Sequence, residues 1–143
     1  MRGDDKIVTF DPARRRPDSA RFAELAETAR RLQSERHGAA EAVASVLDST
    51  PFEEWPRLAE HPALRNSGAL EELAARIRSR FEKDPKEALS LSSLATTIAE
   101  TLPPDAYPPV TLAQLRAHAW KDRANTLRYV CRFDESLEAI AMA

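Results

Sequence analysis

The side chains of this sequence best able to do chemistry are three histidines, one cysteine and a short run of serines. His37, His61 and His118 fall in a predicted loop, before a proline and inside a predicted helix. No Cys or carboxylate stands at ligand spacing from any two of them, so no metal site is expected. Cys131 sits at a predicted helix end, where outward carbonyls give a thiolate no support, and a structural thiol is expected. Ser90, Ser92 and Ser93 have no partnered His, and neither GxSxG nor SxxK with its companion motifs occurs. Glu53 with Glu54, and Glu71 with Glu72, are adjacent on helices and point to different sides, which rules them out as a catalytic dyad. With 3 Gly in 143 residues there is no phosphate-cradling loop. The expectation is a protein with no catalytic residue, no cofactor and no metal. One pair does suggest recognition: Lys121 and Asn125 lie one helical turn apart and together suit a carboxylate, by charge and by amide donor.

The elements that position these residues are helices. The chain has 25 Ala against 3 Gly, and 6% aromatic residues, which favours helix and disfavours a β-sandwich or barrel. Phe22, Leu25, Ala26, Ala29 and Leu32 recur at helical spacing from Asp18, an expected N-cap, to Gly38, an expected stop. Ala42, Val43, Val46 and Leu47 mark a shorter helix. Thr50, Pro51 and Glu53 then read as N-cap, first-turn proline and capping-box acid of a short helix broken by Pro56 and Pro62. After Gly68, Leu70, Leu73, Ala74, Ile77 and Phe81 form the stripe of a helix over 69–83. Asp84 and Pro85 open the next, with Ala88, Leu91, Ala95, Ile98 and Leu102 on one face to residue 102. A link this short packs the two antiparallel. Residues 103–110 hold four prolines and form a stiff connector. Thr111, with Gln114 at the capping-box position, opens a long helix to about Cys131, and Asp134 starts the last.

The charge balance, 21 basic against 23 acidic residues interspersed along the chain, lacks the footprint of a nucleic-acid binder. The first twelve residues carry acids where a signal peptide needs a basic start and an apolar run, and nowhere do 18 apolar residues follow one another. A cytoplasmic protein that does not enter membranes is expected. The reading divides the chain into a flexible tail over 1–17, which includes the Arg14–Arg15–Arg16 cluster, irregular helices over 18–62, and helical hairpins over 63–143.

Residues 119–143 resemble a tetratricopeptide repeat, the 34-residue helical hairpin of helical solenoids. With Trp120 at the fourth position, Ala124, Leu127, Ser136, Ile140 and Ala143 fall where the repeat wants small, large, small, large and small residues. Small residues let the two helices approach and large ones fill the gap to the next repeat. Arg123 departs from the pattern, which has Leu there, and so does Cys131, where Gly commonly ends the first helix. Residues 69–102 resemble an atypical, capping-type repeat, and the region from Phe22 onward is similar to the N-terminal parts of long bacterial repeat proteins. The resemblance implies an all-α, right-handed solenoid fragment, its last repeat incomplete, with further repeats expected beyond residue 143. It also implies a scaffold that binds a protein or peptide through the concave face of the first helix, where it places His118, Lys121, Asn125, Arg128 and Tyr129. Trp120 is expected in the core, buried with Ala124, Leu127 and Ile140.

Two alternatives come from other classes. In one, the helices over 39–60 form a helix-turn-helix of a transcription-regulatory domain, with Arg14 to Arg16 on the DNA backbone. The other is an enzyme whose active residues match no known motif. The apolar C-terminal helix, with Leu137, Ile140 and Met142, also predicts a homodimer.

Overall fold

The computed structural model describes residues 19–143. The protein is all-α, helical over 82% of those residues, with no strand among them. The tail over 1–17, its arginine cluster and the N-cap expected at Asp18 lie outside the described residues.

The elements in order are α1 (Ser19–Arg36), α2 (Ala39–Asp48), 3₁₀ segments over Phe52–Glu60 and Pro62–Leu64, α3 (Ser67–Arg80), α4 (Pro85–Thr101), α5 (Pro109–Tyr129) and α6 (Phe133–Met142). α3 lies between α1 and α5, α4 packs across α3, α5 and the longer 3₁₀ segment, and α6 packs on α5. The main core sits where these meet. Leu64, Leu73, Ile77, Leu91, Leu94 and Ile98 are fully buried there, each contributing roughly 1.5–3 kcal/mol of apolar burial. A smaller cluster, Ala124, Leu127 and Ala139 with half-buried Leu89 and Trp120, joins α6 to the body.

Several expected boundaries are met. Gly38 holds φ 80°, a left-handed conformation natural to glycine, between α1 and α2. Asp84 accepts a hydrogen bond from Glu87 N at 3.0 Å, with Pro85 following in the first turn. All five stripe residues of α4 are buried.

Others differ, each for a physical reason. The stripe of α1 is largely uncovered: Phe22 is 65% and Leu25 62% exposed, because only the C-terminal part of the helix reaches α3. Residues 52–60 form a continuous 3₁₀ segment containing Pro56, and Thr50 does not cap it, its hydroxyl donating instead to Val46 O. A missing N–H costs less in a 3₁₀ turn that buries Trp55 and Ala59 on α4 than in an α-helix interior. Residues 39–60 therefore carry a single α-helix. α3 starts before Gly68, capped by Asn66 Oδ1 accepting from Ala69 N at 2.9 Å. α5 starts at Pro109, so Thr111 and Gln114 are inside its first turns.

The end of α5 is a Schellman turn. Arg132 N donates to Leu127 O at 2.9 Å, Cys131 N to Arg128 O at 3.1 Å, and Cys131 takes φ 62°. The backbone thus adopts at Cys131 the conformation that glycine favours. The thiol is exposed, which a core position would not allow.

At the crossing of α5 and α6 the two small residues meet: Ala124 and Ser136 are both buried, and Ser136 Oγ donates to Ala124 O at 2.8 Å. Ile140 does not join them. It is 58% exposed, since Ser136 and Ala139 are the residues of α6 that are buried against α5. Trp120 is half-buried at the edge of this cluster, its Nε1 donating to Glu100. Arg123, also half-buried, donates to Ser93 Oγ on α4 at 2.6 Å.

Candidate groove between α3 and α5

Positions 118, 122 and 125 follow one another at spacings of four and three, so they share a face of α5. Arg78 and Phe81, three apart at the end of α3, stand opposite. Together with Lys121, these side chains line a cavity of about 400 Å³. His118, Lys121 and Asn125 are thus brought together in one cavity. Tyr129 lies beside them, stacked on Phe81 with ring centroids 5.1 Å apart and planes 9° from parallel. Arg128 is exposed and lines neither this cavity nor its neighbour.

The floor of the cavity is charged. Asp122 is 6% exposed, and its nearest cation is Arg78, whose Nε stands 3.6 Å from Oδ1. Oδ2 is buried and accepts no hydrogen bond. Burial pushes the Asp122 carboxyl above the usual carboxylate range, against the charge and hydrogen bonding of Arg78 and the charges of His118 and Lys121. The rim therefore offers donors, from Lys121, Arg78 and Asn125, over a buried acceptor.

A second cavity, of about 270 Å³, adjoins the first through His118. Leu32, Leu70, Leu115 and Ala119 give it apolar walls, and the Arg36–Glu71 pair closes one side, with guanidinium-to-carboxylate distances of 2.6 and 2.8 Å. The two lie side by side along α1, α3 and α5 and meet at His118, one with apolar walls and the other basic.

What holds α1 in the groove is a polar clasp. Tyr107 Oη donates to Glu35 Oε2 at 2.7 Å and accepts from Ser67 N at 2.8 Å, and Ser67 Oγ donates to the same carboxylate. Arg31 pairs with Glu35 at 3.1 Å, donates to Ala106 O at 2.6 Å, and lies 4.5 Å from the centre of the Tyr107 ring. Burial acts to raise the Glu35 carboxyl, but the hydrogen bonds from Ser67 and Tyr107 and the Arg31 charge outweigh it and hold the group below its ordinary value.

No family model, curated protein or solved structure matches this chain. The site is therefore read from its own chemistry. No cluster of three or more His, Cys, Asp or Glu side chains suited to a metal ion occurs among the described residues. No helix among them is long and apolar enough to cross a membrane.

The resemblance to a repeat's first helix pointed to His118, Lys121, Asn125, Arg128 and Tyr129, but not to Arg78, Phe81 or Asp122. Arg78 and Phe81 come from a helix some forty residues earlier, and only tertiary packing sets them opposite α5. Asp122 lies between Lys121 and Arg123, where a charge reads as solvated surface.

Proposed function

We propose that this protein is a non-catalytic, tetratricopeptide-like scaffold of the cytoplasm that binds a protein or peptide segment in the groove of α1, α3 and α5. The observation that carries this is the joining of His118, Lys121 and Asn125 with Arg78 in one cavity, which adjoins an apolar one at His118. An apolar side chain of the ligand would fill the space between Leu32, Leu70 and Leu115. Its carboxylate would take charge-assisted hydrogen bonds from Lys121 and Arg78 and an amide donor from Asn125. The succession of α3 on α4 and α5 on α6, with small residues at the α5–α6 crossing, supports the repeat reading. Peptides selected from a random library displayed on phage test it by titration calorimetry. Binding should weaken at least tenfold in Lys121→Ala and in Asn125→Ala, and a library that yields no binder, or binders indifferent to both substitutions, overturns it.

A second reading concerns assembly. Leu137, Ile140 and Met142 are each more than half exposed on α6, and we propose that this face pairs with a second copy. Light scattering over a concentration series should show a dimer that Ile140→Glu and Met142→Glu dissociate. A monomer throughout, or a dimer untouched by both, excludes it.

A further inference from the structure

Asp122 is the feature of the groove that a pure anion site does not explain. A pocket meant only for a carboxylate gains from Arg78, Lys121 and Asn125 and loses from a negative charge beneath them, since like charges at such range repel. Yet this carboxylate is 6% exposed, lines the same cavity, and has an oxygen with no donor. Arg78 satisfies it only in part: its side chain stays more than half exposed, its Nε stands 3.6 Å from Oδ1, and Oδ2 has no donor at all. A buried acceptor left in this condition costs stability, and buried polar groups are otherwise almost always paired. The other buried side-chain groups among the described residues follow that rule, as the four donors gathered on Glu35 illustrate.

Resting on the peptide-binding reading above, we infer that Asp122 accepts a hydrogen bond from a main-chain N–H of the bound segment. The site then recognises a peptide amide and an adjacent acidic group together, and discriminates against simple anions. The donor is a neutral amide because the rim already holds Arg78 and Lys121, which would repel an ammonium or guanidinium arriving at the floor. Oδ2 is sealed from solvent in the free protein, so a part-turn of the carboxyl about its last bond is needed to bring it to the ligand while Oδ1 stays on the Arg78 side. A site built to pair an N–H rejects the analogue that lacks it far more strongly than an apolar pocket rejects a missing methylene.

The test uses the peptides selected on phage against the whole chain, synthesised with each main-chain amide methylated in turn. One methylation, next to an acidic residue, should weaken binding to the wild type by tenfold or more. Asp122→Leu, which fills the same space without an acceptor, should bind the unmodified peptide at least tenfold more weakly and show no further loss on that methylation. Equal methylation penalties in both proteins overturn the inference. So does wild-type affinity in Asp122→Leu when Lys121→Ala has lost binding, an outcome that leaves the peptide-binding reading standing. A stability measurement guards against an unfolded variant: Asp122→Leu and Asp122→Asn should both melt above the wild type at neutral pH, because each removes a buried charge kept for binding. If both melt lower, Asp122 is a structural partner of Arg78 and the inference fails.

Discussion

Gly68 faces the carbonyl of Glu35 so closely that a Cβ built on it would stand 2.0 Å from that oxygen. Gly68 is buried in the first turn of α3, and its missing side chain lets α1 lie against α3 with backbone near backbone. In Gly68→Ala the obstacle is main chain, which cannot swing aside as a flexible side chain would. Since α1 has no buried residue of its own, its cheapest response is to lift off. Expected is a loss of about 1–3 kcal/mol, with hydrogen exchange speeding up over residues 30–36 while α3 and α4 stay protected. Unchanged exchange in α1 would refute the contact.

The same junction sets an acid limit. Glu35 is held below its ordinary value in the fold, so its contribution is complete above the unfolded carboxyl value of 4.5 and is lost as pH falls through the lower folded value. Wild-type melting temperature should therefore decline as pH drops below about 4.5, the ordinary Glu range. Glu35→Gln, which keeps the shape but loses the charge of the clasp, should cost about 1 kcal/mol at neutral pH and lose part of that acid dependence. Melting curves from pH 7 to 3 that run parallel for the two proteins would remove Glu35 from the clasp.

Helical periodicity located most of the elements because a stripe such as Ala88, Leu91, Ala95, Ile98 and Leu102 is dictated by burial alone. It identifies a face without saying whether anything covers it. Phe22 and Leu25 obey the same spacing as the α4 stripe and remain exposed, and Ile140 does likewise on α6. Gly68 reads as a helix boundary, yet its role is a contact with a segment more than thirty residues away. The α5 side of the groove was named only through the resemblance to a repeat's first helix, whereas Arg78 and Phe81 opposite it, and the burial of Asp122 beneath, exist only once α3 and α5 pack.

At Cys131 the φ of 62° places a β-carbon where only glycine is comfortable, in the turn that ends α5. A non-glycine residue in this region costs roughly 1–2 kcal/mol. Glycine in its place returns some of that as added freedom of the unfolded chain, about 0.5–1 kcal/mol. Cys131→Gly should thus stabilise the protein by a net amount near 0.5–1 kcal/mol, read from urea unfolding midpoints at equal slope. A midpoint that stays or falls would mean that the exposed thiol contributes contacts of its own.

The crossing of α5 on α6 is the most demanding point of the C-terminal hairpin, because Ala124 is buried and its carbonyl receives the Ser136 hydroxyl at 2.8 Å. That hydrogen bond requires the two helices to approach to within the reach of a serine side chain, which leaves no room for a longer residue at either position. Ala124→Leu inserts three carbons there and should destabilise by roughly 1–3 kcal/mol. Ser136→Ala removes only the hydroxyl, and its effect should be smaller, about 1 kcal/mol, because Ala124 O retains its place in the helix. The order of the two effects is diagnostic: steric exclusion exceeds a single hydrogen bond only if the helices are in close contact. Thermal melts in which Ala124→Leu behaves like the parent, or is milder than Ser136→Ala, would separate α5 from α6 and remove the small-residue crossing on which the repeat reading rests.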